Sequence, residues 1–423
     1  MKSALANTDF RPSALEAIEA SICTESGRAV SPYRGLKLNS AFQPIFSLAH
    51  RRPVGHEALL RAYASDGATV PPPHVFALAE QHGEVTYLDR LCRTIHVRNY
   101  IIDSASDDWI FLNINPEVMT DGKLHGSFFS DFLKQYRIAP HRIVVEILEG
   151  SISDEGLLAD AVSYYRELGC LIAIDDFGAG HSNFDRIWRI APQIVKLDRS
   201  MIARAAQQPR VRRLIPNLVS LIHESASLAL MEGIETEEEA LIAMDSGIDF
   251  VQGYYFAKPA EHVANEAPYQ GRLAGLCDKF RQFSAAEQAQ YHQGLSPYLE
   301  HFLAAAQKFE QGMNMKAACA VLLEMPSAER CFMLDDEGRQ VGNNALPVTR
   351  NDTMDPRFAP LFEASGAIWS RRHYFRRAMA QPGVVQTSRP YLSIIGASMC
   401  VTLSIAIRRA GKTSVFCCDI KWS

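Results

Sequence analysis

Between residues 41 and 259 the chain repeats one pattern, a short apolar run followed by a stretch with helical spacing. The runs are AFQPIFSL (41–48), GHEALLRA (55–62), IFLNIN (110–115), IVVEILE (143–149), LIAIDDF (171–177), IVKLD (194–198), LALMEGIE (228–235) and FVQGYYF (250–256). Runs this short and this rich in aliphatic residues read as strands buried on both faces. Intervals such as LLADAVSYYRELG (157–169) read as helices. Strand alternating with helix demands a mainly parallel sheet with covered faces. Eight such units in some 220 residues have the count and size of a (β/α)8 barrel, with an open doubly wound sheet as the second architecture.

A chain of 423 residues, 47% hydrophobic and 22% charged, is long enough for that barrel and a further domain with its own core. Its formal net charge of −5 argues against a broad nucleic-acid surface, so neither DNA nor RNA is an expected partner. The nine cysteines contain no CxxC pair, which leaves reduced structural thiols as their reading. The N-terminal residues have no apolar core of signal-peptide length. No run approaches the ~20 apolar residues of a membrane span. The expectation is a cytoplasmic protein without a transmembrane segment. The longest uncharged stretch, YLSIIGASMCVTLSIAI (391–407), reads as two strands around a turn.

In a barrel of this class the chemistry sits at the carboxyl ends of the strands. Those ends are polar here: Glu57 and Arg61, Asn113, Glu146 and Glu149, Asp175 and Asp176, Lys196 and Asp198, Glu232 and Glu235, and Gln252. One strand-end aspartate is ordinarily a turn former. A whole mouth of carboxylates is costly unless something compensates it. The stretch IAIDDFGAG (172–180) poses the problem most sharply, because a buried strand stops on two adjacent aspartates. An exposed loop would solvate them, whereas a bound cation would use them. All-oxygen ligands suit Mg²⁺ or Mn²⁺ rather than zinc, and the acids suffice for two ions. Lys196 has two readings: an ion pair with its acidic neighbours, or a positive charge aimed at water or phosphate.

These residues carry a family resemblance. Segment 41–259 resembles the EAL domain, the phosphodiesterase of bacterial cyclic di-GMP. QPI (43–45), EALLR (57–61), LNINP (112–116), EILE (146–149), DDFGAG (175–180), KLD (196–198), EGIE (232–235) and QGYYFAKP (252–259) follow in the family's order. The resemblance implies a modified, TIM-like (β/α)8 barrel. It implies cleavage of cyclic di-GMP to linear pGpG, with two Mg²⁺ or Mn²⁺ per site assisting in-line attack of water. It implies Glu57, Asn113, Glu146, Asp175 and Asp176 as metal ligands, Glu57 being counted with the catalytic residues too. Lys196 matches the lysine that orients the water, Glu232 the acid associated with general-base catalysis, and Gln252 a residue that completes the site and meets substrate. Gln43, Arg61 and Asp198 match substrate contacts. Glu149 matches the anchor of the loop after the aspartate pair. Departures such as Asn115, His181, Asn183 and Met231 remove no ligand. The second class of function is a silent receptor that binds cyclic di-GMP and signals through protein contacts. Members of that kind typically lack ligands, and here every position is filled.

Four segments are expected: a leader over 1–40 with one short helix near 13–23, the barrel over 41–262, a helical connector over 263–325, and an α+β domain over 326–423. In the last, CFMLDDEGRQVGNN (331–344) reads as strand, turn, strand, and CVTLSIAIRRAGKTSVFCCDIKW (400–422) as a hairpin turning at Ala410 and Gly411. With RHYFRRAM (372–379), SRPYLSI (388–394) and the closing CCDIKW, this part resembles PAS/Cache-type sensor domains. An unidentified small-molecule signal is therefore expected. Arg372 and Tyr374 read as ligand contacts or, equally, as parts of an arginine-rich surface helix. Leu299, Phe302, Leu303 and Phe309 give the connector an apolar face for the sensor or for a homodimer partner.

Overall fold

The computed structural model describes residues 14–103, 107–115, 118, 128–148, 155–180, 184–263, 267–347, 360–361, 363–394, 398–409 and 411–422. The chain divides into two compact units, Met1–Ser284 and Ala285–Ser423.

Eight strands of the first unit close into a barrel: β1 (Leu36–Ser47), β2 (Arg52–Tyr63), β3 (Trp109–Asn113), β4 (Ile143–Leu148), β5 (Leu171–Phe177), β6 (Ile194–Leu197), β7 (Leu228–Met231) and β8 (Phe250–Val251). From β2 to β8 every neighbouring pair is parallel. β1 runs antiparallel to both β2 and β8, and those two pairings close the ring. The interval between β1 and β2 is residues 48–51, too short for the crossover a parallel pair requires, so the pair forms a hairpin. The strict alternation expected from sequence fails at this one step. The barrel also reaches further toward the N-terminus than residue 41. β1 starts at Leu36 and pairs with the strand Arg28–Tyr33, and Leu15 and Ile18 of the helix Ala14–Glu19 are buried in the barrel's outer core.

Outside the ring, helices cover the strands as both-face burial requires. The helix Val85–Asp103 is typical, burying Leu88, Leu91, Ile95 and Tyr100. Inside, the amino-terminal half of the barrel is plugged by Ile45, Phe111, Val144, Ala173, Ile194, Leu230 and Phe250, one from each of seven strands. The eighth strand contributes Gly55. A Cβ there would lie 2.8 Å from the Phe111 ring and 3.0 Å from Trp109 Cβ, so the absent side chain is what lets this layer close. Strand side chains on one face recur every second residue. Two residues beyond each plug residue stand Glu57, Asn113, Glu146, Asp175, Lys196, Glu232 and Gln252. On antiparallel β1 the step runs backwards, from Ile45 to Gln43. One apolar layer therefore dictates one polar layer above it.

The second unit is built on an antiparallel sheet: β9 (Ala328–Leu334), β10 (Gln386–Thr387), β11 (Tyr391–Leu392), β12 (Met399–Arg409) and β13 (Lys412–Lys421). Its order is β9-β13-β12-β10, with β11 also on β12. β12 and β13 form the expected hairpin, with Arg409 opposite Lys412. Alternation splits the sheet into two cores. Cys331, Met333, Leu403, Phe416 and Cys418 face Phe302, Ala305 and Ala306 of the long helix Ala267–Glu310 together with Leu322 and Leu323. Phe332, Leu334, Val415 and Cys417 face Tyr374, Phe375 and Ala378 of the helix His373–Ala380. Leu299, Phe302 and Phe309 of the expected connector's apolar face pack within this unit, where the Phe302 and Phe416 rings stack 4.8 Å apart, whereas Leu303 stays exposed. Among the described residues no helix is long and apolar enough to cross a membrane.

The Gly55 plug makes a stability prediction. Gly55→Val overfills the layer, and urea unfolding should show a loss of about 1–3 kcal/mol. Unchanged stability would contradict the packing of that layer.

Candidate active site

The polar layer converges on one ammonium group. Lys196 Nζ lies 2.5 Å from Glu146 Oε1, 2.7 Å from Glu232 Oε1, 2.9 Å from Asp175 Oδ1 and 3.9 Å from Glu57 Oε2. Lys196 and Glu146 are fully enclosed, whereas Glu232 keeps 18% of its side-chain surface exposed. Glu57 is held by two amides: Gln252 Nε2 donates to its Oε2 at 2.6 Å and Asn113 Nδ2 to its Oε1 at 3.3 Å. The Gln252 amide also donates to Gln43 Oε1, 3.2 Å away, and Gln43 Nε2 donates to the Ala257 carbonyl. Gln43, Glu57, Asn113, Glu146, Asp175, Lys196, Glu232 and Gln252 therefore form one connected set.

The twin aspartates join that set by breaking the strand's alternation. Successive strand residues point to opposite faces, so a regular strand would send Asp176 away from Asp175. Between Ile174 and Phe177 the pairing with β6 shifts register, three steps on β5 matching two on β6. Asp176 takes a left-handed φ of 56°, unusual for a residue with a side chain. The bulge re-aims its carboxylate. Carboxylate oxygens of Asp175, Asp176 and Glu232 all lie within 4.8 Å of one another.

Electrostatics follow from this crowding. Burial raises the Glu146 carboxyl well above its ordinary range, against the pull of Lys196. Burial likewise carries Glu232 up to about 8, and burial with the Asp175 charge raises Asp176. For Lys196 burial favours the neutral form, but Asp175, Glu146, Glu232 and Glu57 outweigh it and hold the ammonium charged. Five carboxylates face one lysine. Glu146 Oε1 meets the Lys196 ammonium, and its buried Oε2 has no hydrogen-bond donor among the described residues. Unspent, clustered, all-oxygen donors are the ligand set of a hard divalent cation. The residues fit Mg²⁺, Mn²⁺ or Ca²⁺ held among Glu57, Asn113, Glu146, Asp175 and Asp176, with Glu232 beside them.

Other residues marked in the sequence lie differently. Asp198 is the N-cap of the helix Arg199–Gln207, its Oδ1 accepting from Ser200 N at 3.0 Å. Arg61 lies four residues along β2 from Glu57, half-buried, and donates to the Leu60 carbonyl. Glu235 points to solvent in an ion pair with Arg199. Glu149, His181 and Asn183 lie outside the described residues.

One buried pair escapes sequence reading. Asp89 and Arg93, both 3% exposed, form an ion pair on the helix Val85–Asp103. Asp89 Oδ1 also accepts from the backbone N–H of Asn115 at 2.9 Å and so fixes the turn that follows Asn113. Aspartate and arginine at i, i+4 read as a solvated helix face. The available signal was the apolar company of Leu88, Leu91 and Cys92 on the same turns.

With this geometry in place, comparison with known proteins gives a consistent result. The family model for the EAL domain matches residues 33–259. The chain is 28% identical over 225 residues to the probable cyclic di-GMP phosphodiesterase PdeB of Escherichia coli, covering 51% of this chain and 42% of PdeB. It is 27% identical over 232 residues to the cyclic di-GMP phosphodiesterase RocR of Pseudomonas aeruginosa, covering 53% of this chain and 59% of RocR. The chain thus spans about half the length of these two relatives. A crystal structure of Bacillus subtilis YkuI, a protein with an EAL domain in complex with substrate c-di-GMP and calcium, superposes with a TM-score of 0.76. That match covers 91% of this chain and 96% of YkuI at 23% identity, and shows a shared fold.

Two predictions come from the site. Asp89→Ala strands a buried guanidinium and should cost about 3–5 kcal/mol in urea unfolding. The second concerns pH. A carboxyl raised from 4.5 to about 8 in the fold contributes stability that is present at low pH and lost as pH climbs through 8. In EDTA, wild-type stability should therefore fall more steeply from pH 6 to pH 9 than that of Glu232→Gln. Parallel curves would contradict the burial of that charge.

Proposed function

The chain belongs to the EAL domain family, and on that premise we propose that it is a phosphodiesterase that hydrolyses cyclic di-GMP to linear pGpG. The observation that carries the proposal is the connected set of strand-end groups around Lys196, which gathers Glu57, Glu146, Asp175 and Glu232 about one ammonium. The cyclic di-GMP phosphodiesterase names of PdeB and RocR, and the ligand and calcium bound to YkuI, support it.

In this reading Glu57, Asn113, Glu146, Asp175 and Asp176 hold two Mg²⁺ or Mn²⁺. Divalent cations so bound would supply an acidified water and neutralise charge on the scissile phosphate. The chain's own groups do the rest. Lys196 orients the attacking water and keeps its charge because four carboxylates surround it. Glu232, whose carboxylate lies 2.7 Å from the Lys196 ammonium, is the proton acceptor. Gln43, Arg61, Asp198 and Gln252 contact the dinucleotide, with the Arg61 guanidinium suited to phosphate. Glu149 anchors the loop after the aspartate pair. The second unit acts as a PAS/Cache-like sensor of a small-molecule signal, the chain works as a homodimer, and it resides in the cytoplasm. The nine free cysteines agree with that compartment.

The test is to incubate the purified protein with cyclic di-GMP, with and without Mg²⁺ or Mn²⁺, and to separate the nucleotides. Metal-dependent appearance of pGpG is expected. Glu57→Ala should lower the rate more than about 100-fold with the fold retained, since it removes a ligand and no core volume. Intact nucleotide that stays bound with every metal would contradict the enzyme and leave the receptor.

A further inference from the structure

The helix Ala267–Glu310 seats its first turns on the barrel. Leu273 and Leu276 are buried in the outer core, and the Tyr269 ring stands edge-on to Phe46 at 5.0 Å. Later turns of the same helix give Phe302, Ala305 and Ala306 to the core of the second unit. One polar side chain of the first turns reaches the loop that follows β8. Arg272 Nη1 donates to the carbonyls of Tyr255 and Phe256, at 2.5 and 2.7 Å. The guanidinium carbon also lies 6.0 Å from the Tyr255 ring centre.

Those carbonyls end a single turn. The Gly253 carbonyl accepts from the N–H groups of Phe256 and Ala257, which closes the turn, and a turn cannot pair its own last carbonyls. Side chains pair them here. Arg272 takes those of Tyr255 and Phe256, and Gln43 Nε2 takes that of Ala257 at 3.1 Å. Gln43 Oε1 in turn accepts from Gln252 Nε2, which also donates to Glu57 Oε2. The turn has no slack on its other side. Ile234 N donates to the Gln252 carbonyl at 3.1 Å, and Tyr255 N to the Ile234 carbonyl at 2.9 Å. A Cβ on Gly253 would lie 2.1 Å from that Ile234 oxygen. The turn is therefore wedged between Arg272, Gln43 and the segment that carries Glu232. Lys279, further along the helix, adds a second tie. Its Nζ lies 2.5 Å from Glu237 Oε2, which also accepts from Tyr255 Oη at 3.4 Å.

We propose that Arg272 is a positioning residue of the mouth: through the turn 253–257 it sets Gln43 and Gln252, and through them the Glu57 carboxylate. Hydrogen bonds from a charged donor are about twice as strong as neutral ones, so two of them to one turn hold it firmly against the helix. Arg272 touches neither nucleotide nor cation and acts only through this chain of contacts. That Glu57 holds a cation rests on the reading given above, whereas the ties of Arg272 do not. Because the same helix builds the core of the second unit, the mouth and that unit share one structural element.

Full-length wild type, Arg272→Gln, Arg272→Lys and Arg281→Gln are freed of metal and titrated with Mn²⁺, the free ion being followed by electron paramagnetic resonance. Arg281 is the control, an exposed arginine of the same helix that pairs with Asp278 on that helix. Arg272 is itself exposed, so its replacement removes no core volume and circular dichroism should match wild type. Arg272→Gln should raise the Mn²⁺ Kd about tenfold, as expected when a group that orients a ligand is lost. Arg272→Lys keeps a charged donor for the two carbonyls and should stay within about threefold of wild type. Arg281→Gln should bind as wild type does. Hydrogen exchange is measured on the metal-free proteins, and amides of residues 252–257 should exchange faster in Arg272→Gln alone. A wild-type Kd in Arg272→Gln, a loss no larger than in Arg281→Gln, or no recovery in Arg272→Lys would overturn the proposal. Unchanged exchange over 252–257 would overturn it too, whatever wild type does with Mn²⁺. Wild type that binds no Mn²⁺ would instead count against the cation reading, which keeps the two failures apart.

Discussion

The barrel mouth is organised by one electrostatic constraint: a lysine ammonium enclosed among carboxylates that outnumber it. Lys196 offers three N–H groups and a single charge, and it meets Glu146, Asp175 and Glu232 within 2.9 Å. That cannot neutralise five acids. Burial, with the neighbouring carboxylates adding to it, raises the Glu146, Asp176 and Glu232 carboxyls. A cluster in this condition opposes folding when it ionises. The apolar plug beneath it, from Ile45 to Phe250, supplies burial that offsets such a cost. The layer below holds the fold, and the layer above carries the chemistry.

Geometry makes the two layers inseparable. Because strand side chains repeat every second residue, filling the plug on each strand fixes which residue faces the mouth. Only Asp176 escapes this rule. The register shift in β5 and its left-handed φ bring it beside Asp175, where a regular strand would hide it. The doubled aspartate is thus not a strand running out into solvent. Its carboxylates gather with Glu232 where a divalent ion could meet all three. Behind the mouth, Asp89 and Arg93 pin the turn after Asn113, so one edge of the site depends on a buried ion pair in an outer helix.

Much of this was legible in the residues. Eight apolar runs, each with a polar group near its end, gave the barrel and nearly the whole polar set, because both facts follow from a period of two and from the cost of burying charge. What was hidden lay in contacts remote in sequence. The hairpin of β1 and β2 depends on a four-residue interval, easily overlooked among six longer ones. The strand Arg28–Tyr33 pairs with the start of β1, but its short mixed run shows no period of its own. Asp198 reads as a mouth residue, and its side chain also caps the helix Arg199–Gln207. The helices after residue 285 read as a connector, yet Phe302 lies flat on Phe416 more than a hundred residues later. Arg372 reads equally as a ligand contact and as a surface arginine. Only the fold brings Trp369 and Tyr391 to its two sides.

Counting the cations is the most direct measurement of whether the carboxylate excess exists for them. Metal-free protein at pH 8 would be titrated with Mn²⁺, the free ion being followed by electron paramagnetic resonance, with and without cyclic di-GMP. Two bound Mn²⁺ per chain, with at least one lost in Glu146→Gln, is the expected result. A folded chain that binds no Mn²⁺ under either condition would contradict the cation role of the mouth and leave its acids without a purpose.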